Sequence, residues 1–203
     1  MKGLLMLLAY LVGSIPFSDL AGRLRGVNLR EHGSGNLGAT NAIRILGPGV
    51  GIPVLGLDVL KGVVATTLIP AVVEGGVAPD TRVLCAAAAV AGHVWPVFAR
   101  FRGGKGVATA GGAFLGLAPV ATGIATGAFV VVVLLSRYVS VASMVAAVVL
   151  AASLIRLGAA APVMAGGLAV AALVIVRHRE NVRRLATGTE NRVSFRRRKG
   201  DGS

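Results

Sequence analysis

Long apolar runs alternate with short polar, basic segments along this chain. The runs fall at about 3–22, 50–72, 81–99, 107–136, 138–155 and 159–176. They approach or exceed the roughly 20 residues that a helix needs to cross about 30 Å of hydrocarbon. A segment in hydrocarbon must satisfy its backbone polar groups internally, so the runs predict an all-α bundle of transmembrane helices. Segments such as 130–135 and 145–152 are continuously apolar rather than alternating, which excludes the period-two pattern of an outer-membrane barrel. The run from Gly3 could pass for a signal peptide, but no A-x-A site follows it and the later runs are equally apolar, so it reads as a first span.

The fourth run is too long for one ordinary span and carries Gly116, Pro119 and Gly123 at its centre. It is either one tilted helix or two short helices around residues 107–136, and the positive charges decide. If it folds back, 17 Lys and Arg lie on the cytoplasmic side and 3 (Lys2, Arg82 and Arg156) outside. If it crosses once, the balance becomes 8 against 12 and inverts the expected bias. Seven spans are expected, with the N-terminus outside and the C-terminus cytoplasmic. The cost is two helices of about 15 residues, roughly 22 Å each, which need a thinned bilayer or burial in the bundle.

Composition agrees with this reading. Of 203 residues 55% are apolar and 4% aromatic, with a mean hydropathy of +0.78, a balance that soluble domains rarely approach. A net charge of +13 would suit nucleic acid, but most cations lie between or after apolar spans, where they face lipid headgroups or an anionic substrate. With Cys85 as the one cysteine no intrachain disulfide is possible, and a buried inert thiol is expected. No repeat or low-complexity linker divides the chain, so 1–203 reads as a single domain with 177–203 a basic cytoplasmic tail, frayed from Arg196 onward.

Three polar segments fall on the cytoplasmic side. The first is His32-Gly33-Ser34-Gly35-Asn36-Leu37-Gly38-Ala39-Thr40-Asn41, followed by Arg44. Its glycines permit close backbone approach, and Ser34, Asn36, Thr40 and Asn41 supply donors for phosphate oxygens beside a helix start. A plain interhelical loop would need one capping residue rather than four. The second is Arg100-Phe101-Arg102-Gly103-Gly104-Lys105-Gly106-Val107-Ala108-Thr109. It invites comparison with a Walker A loop, but Ala99 stands at the first glycine and Gly106 where Ser or Thr would hold magnesium, so an ATPase is rejected. Lys105 among glycines still makes a good phosphate contact; headgroup anchoring would need no glycines. In the third, if the last span runs past the interface, His178 and Asn181 lie on one helical face, able to grip a small polar substrate; a solvated basic helix end is the alternative. Asp58 and Lys61, one turn apart within a span, should pair or line the bundle interior. Asp19 is expected to be structural near the interface, and His93 to be an interhelical hydrogen-bonding residue.

Together these segments resemble the bacterial acyl-phosphate:glycerol-3-phosphate acyltransferase family, known as PlsY. The resemblance runs through Gly13-Ser14-Ile15-Pro16-Phe17, residues 34–41, Asp58 with Lys61-Gly62, and then 92–109, 138–143 and 178–191, in that order between spans. Trp95 stands where the family often has Phe and Arg102 where it often has Lys. The His-x4-Asp pattern of other glycerol-phosphate acyltransferases is missing from His32, His93 and His178. The resemblance implies seven transmembrane helices and acyl transfer from acyl phosphate to the 1-hydroxyl of glycerol 3-phosphate. The products would be lysophosphatidic acid and inorganic phosphate, the first acylation step of phospholipid synthesis. Neither acyl-CoA nor acyl-carrier protein would be the direct donor. It implies catalytic roles for His178, Asn181, Lys105 and Ser34. Substrate binding is expected of Gly35, Asn36, Gly38, Thr40, Asn41, Arg44, Gly103, Gly104, Gly106, Thr109, Ser143 and Glu190.

An acyl phosphate already carries a good leaving group, so the task is to bring together two anionic reagents that repel each other, which cations accomplish. Either His178 or the donor's own phosphate could take the hydroxyl proton. No His, Asp and Glu cluster stands at metal-ligand spacing, so no metal and no cofactor are expected. The expected partners are the two substrates and membrane lipids, without nucleic acid, in a monomer of the inner membrane with its site at the cytoplasmic face. A transporter would place its polar groups near the midplane, and a lipid-binding scaffold would need neither the glycine cradle nor the pairing of His178 with Asn181. Single cysteines placed in 177–203 should react with a membrane-impermeant maleimide from the cytoplasmic side of sealed vesicles alone; labelling from outside would overturn the topology.

Overall fold

The computed structural model describes residues 1–74 and 78–193; the expected fraying from Arg196 lies outside them. Among the described residues there are eleven α-helices and no strand. The first apolar run forms α1 (Lys2–Gly13) and α2 (Phe17–Leu24), broken where Pro16 supplies no donor. After a polar loop come α3 (Ala39–Leu46), α4 (Pro48–Thr66), α5 (Leu68–Glu74) and α6 (Pro79–Val94). Then follow α7 (Val107–Leu117), α8 (Pro119–Ser136), α9 (Val139–Arg156), α10 (Ala161–Arg177) and α11 (Arg179–Ala186). Proline stands in the first two positions of α4, α6, α8 and α10, where its fixed φ suits a helix start and its missing N–H costs nothing.

Five segments are long and apolar enough to cross a membrane: Lys2–Leu24, Pro48–Ala71, Pro79–Ala99, Pro119–Ser136 and Val139–Arg156. A sixth joins α10 to α11 through a 48° bend, and α7 is a shorter apolar helix. The fourth run does split, but into 11 and 18 residues rather than two equal halves. Of the three candidate breakers Pro119 sets the position, while Gly116 packs over Thr66 and Gly123 stays inside α8. The third run ends as a helix earlier than its hydropathy suggests, because Trp95, ahead of Pro96, leaves helical geometry at φ −127° and ψ 66°, before the short 3-10 turn Val97–Ala99.

The short helix α7 is held against α4 at backbone contact. A Cβ on Gly62 would stand 2.1 Å from the Thr109 carbonyl oxygen, and one on Gly112 would stand 1.9 Å from that of Val59. Small residues that let backbones meet are what hydrocarbon-embedded helices use in place of a hydrophobic driving force. The main core gathers around Val90, Val94, Phe114, Leu150, Leu154 and Val174, from α6, α7, α9 and α10. Cys85 is fully buried beside Leu5, Ala9, Ala65 and Ala89.

Asp58 and Lys61 pair as the sequence suggests, at 2.8 Å and almost wholly buried. His93 Nδ1 of α6 lies 3.5 Å from the same Asp58 oxygen, and Lys61 Nζ donates at 3.1 Å to the Ile15 carbonyl at the α1–α2 break, which also accepts the Phe17 N–H at 3.2 Å. His93 is thus an interhelical bonding residue, as expected. Asp19 is paired with Arg23 at 2.8 Å.

At one end of the bundle Lys2 bonds Asp80, and Arg82 bonds the carbonyls of Thr66 and Gly116. Most of the other described loop cations lie at the opposite end. Removing Asp58 leaves the Lys61 charge buried without its carboxylate, so Asp58→Ala should cost about 3–5 kcal/mol, and Asp58→Leu with Lys61→Met should recover most of it. Thermal unfolding in detergent reads both; equal losses in the single and double variants would contradict the pairing.

Candidate active site

Residues 29–41 coil around one side chain. Asn41 Nδ2 donates to the carbonyls of Leu29 and His32, each at 3.1 Å, and its Oδ1 accepts the Ser34 N–H at 3.0 Å. With φ of +63° and +67°, Gly33 and Gly35 make the turns that this coil requires. Ser34, Asn36 and Thr40 are left to line a cavity, with Gly38 just ahead of α3 and Arg44 one turn beyond Asn41.

The second loop folds back on the end of α6. Gly103 N–H donates to the Val94 carbonyl at 3.2 Å and Gly104 N–H to that of His93 at 3.1 Å, satisfying groups that a helix terminus leaves open. A Cβ on Gly104 would meet His93 Nε2 at 2.2 Å. These two glycines therefore serve packing against α6. Gly106, at φ +83°, turns the chain into α7. Arg30 ties the first loop to the second through the Ala99 carbonyl at 2.9 Å.

Between these turns Lys105 reaches the third segment, where its Nζ donates to Asn181 Oδ1. The last span does continue past Arg177 as helix, but not straight. It bends at His178, which caps α10, while Asn181 begins the next turn in α11. Both remain buried and face the cavity. His178 Nδ1 lies 2.7 Å from the Val174 carbonyl, an acceptor only, so in the neutral ring Nδ1 carries the hydrogen and Nε2 is left as the acceptor.

Glu190 organises the far side. Its carboxylate accepts from Ser140 Oγ at 2.8 Å, Asn181 Nδ2 at 2.7 Å and Arg184 Nε at 2.7 Å. Beyond it the chain returns to the α8–α9 turn, where Val193 N–H donates to the Arg137 carbonyl at 2.8 Å and Arg192 bonds the Tyr138 hydroxyl. Burial pushes Glu190 up, but the bonds from Asn181, Arg184 and Ser140 outweigh it and hold the carboxyl below the usual range. Burial, then the nearby Arg184, push the Lys105 ammonium down to about 8, against the partial support of Glu190.

The cavity measures about 650 Å³. Ser34, Asn36, Gly38, Thr40, Asn41, Arg44, Lys105, Gly106, Ser143, His178, Asn181 and Glu190 all line it; Gly35, Gly103, Gly104 and Thr109 do not. Thr109 is fully buried against α4. Ser140, Arg184 and Asn191 join the lining without having been singled out, and Asp58 and His93, read from the sequence as structural, line it as well. Arg184 stands one helical turn from Asn181, a spacing that could have marked it among the tail cations. Among the described residues no group of His, Cys, Asp and Glu could hold a metal ion.

The profile of the family described as Glycerol-3-phosphate acyltransferase matches residues 3–188. The chain belongs to the glycerol-3-phosphate acyltransferase family. A glycerol-3-phosphate acyltransferase of Geobacillus kaustophilus (strain HTA426) is 43% identical over 96% of this chain and 98% of its own. One from Chlorobium phaeobacteroides (strain BS1) is 42% identical over 94% and 96%. The crystal structure of PlsY, an integral membrane glycerol 3-phosphate acyltransferase in its glycerol 3-phosphate form, superposes with a TM-score of 0.89 at 40% identity, covering 95% of this chain and 96% of that one. Its lysophosphatidic acid form gives 0.86 at 39%, covering 95% of each. This member of the family is a multi-pass membrane acyltransferase.

A carboxylate with a depressed pKa stabilises the fold fully above its unfolded value and loses that contribution as pH falls through the folded one. Protection from hydrogen exchange across 187–193, taken as the intrinsic rate at each pH over the observed one, should therefore fall on acidification below about pH 4 in the wild type, and be low already at neutral pH in Glu190→Gln. Unchanged exchange in that variant would remove Glu190 as the anchor.

Proposed function

We propose that this protein transfers a fatty acyl group from acyl phosphate to the 1-hydroxyl of glycerol 3-phosphate, yielding lysophosphatidic acid and inorganic phosphate. The observation that carries the reading is one cavity with a cationic, hydrogen-bonding end and an apolar remainder. Lys105, Arg44 and Arg184 stand at the polar end, and Leu55, Phe129, Leu150 and Val174 line the rest. Such a cavity suits a reagent that is a dianion at one end and hydrocarbon at the other, beside a second small anion.

In this reading Lys105 and Arg44 hold the two phosphates, with Ser34, Asn36, Thr40 and the start of α3 adding donors. Ser143 borders the acyl end, and Glu190 keeps Asn181 and Arg184 in place. The hydroxyl oxygen attacks the carbonyl carbon, the carbon–oxygen bond to phosphate breaks, and phosphate leaves with the bonding pair. The proton passes to His178 Nε2 or to the donor's phosphate. Asn181 and Lys105 stabilise the charge that grows on the carbonyl and the departing phosphate. No acyl-enzyme is required, because the mixed anhydride supplies its own leaving group.

The same reading places the protein as one domain with seven crossings in the bacterial inner membrane. The N-terminus lies outside, and the loop cations and site lie at the cytoplasmic face. The excess of positive charge at the polar end supports that orientation. The protein acts as a monomer among membrane lipids, without nucleic acid.

Purified protein given palmitoyl phosphate and glycerol 3-phosphate, with neither CoA nor carrier protein, should release inorganic phosphate in a glycerol 3-phosphate-dependent manner. Lys105→Ala and His178→Ala should each lower kcat by about 100-fold to 1000-fold while remaining folded. No release from folded wild type would overturn the donor, and wild-type turnover in Lys105→Ala would overturn its role.

A further inference from the structure

The glycines of α7 and α8 fall into two kinds. Gly112 is packed against α4 so closely that a Cβ would collide with backbone, and Gly116 is covered by Thr66. Gly111, Gly123 and Gly127 are different: a Cβ on any of them would have nothing within 4 Å, and of these Gly111 and Gly123 border the cavity. Each weakens its helix, since glycine is a poor helix former, and neither is required by packing. Both leave the same volume empty.

That volume has an open side. Where α9 and α10 wall the cavity it is closed, with Leu150 6% and Val174 2% exposed. Where α4, α7 and α8 wall it, Leu55 is 41% and Leu115 47% exposed, and Gly123 and Thr126 are exposed as well. Exposed apolar side chains within membrane-spanning helices face hydrocarbon, so the cavity is continuous there with the lipid. Gly111 is the fifth residue of α7, on the side of the polar end, and Gly123 is the fifth residue of α8, just past the α7–α8 break. They mark the near and far parts of one gap.

We infer that Gly111 and Gly123 hold open a lateral gap between α4 and α8, across α7, through which the acyl tail of the substrate passes from the cavity into the bilayer. This rests on the acyl-phosphate reading above, and it assigns to the gap what the cavity alone does not: indifference to tail length. Methylenes that extend through the gap lie in hydrocarbon both before and after binding, so they add nothing to the free energy of binding. Only the carbons enclosed between the polar end and the gap are recognised. A large side chain at either glycine converts the gap into a wall, and long tails must then fold or clash while short ones fit.

The test compares kcat/KM for octanoyl, dodecanoyl and octadecanoyl phosphate, read from phosphate release in detergent. Wild type should treat dodecanoyl and octadecanoyl phosphate alike within about twofold. Gly111→Leu and Gly123→Leu, which place a better helix former in each helix, should raise the octanoyl-to-octadecanoyl ratio about tenfold. Equal losses at every length, or an unchanged ratio, would overturn the gap. A wild type that releases phosphate from none of the three would instead refute the acyl-phosphate reading. If the leucine variants do not accumulate as folded protein, Gly123→Cys supplies the second measurement. Octadecanoyl phosphate, but not octanoyl phosphate, should protect its thiol from a membrane-soluble maleimide. Protection by neither, or protection that follows protein concentration alone and so assigns the face to a second copy, would overturn the proposal.

Discussion

A lysine held within a membrane-spanning helix must find its counter-charge and fill its donor positions inside the protein, and much of this structure follows from how Lys61 does so. Taking either ion of the Asp58–Lys61 pair out of water costs several kcal/mol, so the pair persists only with near-ideal contacts and further hydrogen bonds. Those contacts come from three places in the chain. Asp58 lies one turn away, the Ile15 carbonyl stands at the α1–α2 break with no regular helical partner, and His93 approaches from α6. The break ahead of Pro16, which would be a defect in an isolated span, supplies the acceptor that the lysine lacks. The Phe17 ring, 5.7 Å from the ammonium, adds a favourable quadrupole.

The ionic cluster also reaches the polar end of the bundle. His93 supplies the carbonyl that binds Gly104 N–H, and its ring fills the space that a side chain at position 104 would need. Lys105 follows directly, so its position depends on the buried charges of α4 and α6. On the opposite side Asn181 accepts from Lys105 and donates to Glu190, which in turn holds Arg184 and Ser140. Several cations that would repel one another are thus fixed in one cavity by neutral amides and one carboxylate. Burial first, and then that crowding, depress Lys105.

Much of this architecture is legible in the linear pattern, for physical reasons. Hydrocarbon allows a backbone few solutions, so apolar runs of span length translate directly into helices. Gly116, Pro119 and Gly123 at the centre of the 107–136 run, with the asymmetry of Lys and Arg, pointed to a break there, although charge could not say that Pro119 would divide it unequally. The polar loops were recognisable because they crowd more glycines and hydrogen-bonding side chains into one short connection than a helix cap or headgroup anchor requires.

The purpose of individual glycines and amides was not legible. Gly103 and Gly104 read as ligand-facing but serve contact with α6, and Asn41 spends its amide holding residues 29–34 rather than standing free. Arg184, one cation among several in the tail, enters the cavity only because the helix bends at His178 and Glu190 returns to meet it. The sequence by itself determined that this is a helical membrane protein with anion-binding chemistry gathered at one end, since hydropathy and charge act on each segment separately. Tertiary structure alone decided which polar groups face the cavity and which hold the loops, because that depends on contacts between segments far apart in the chain.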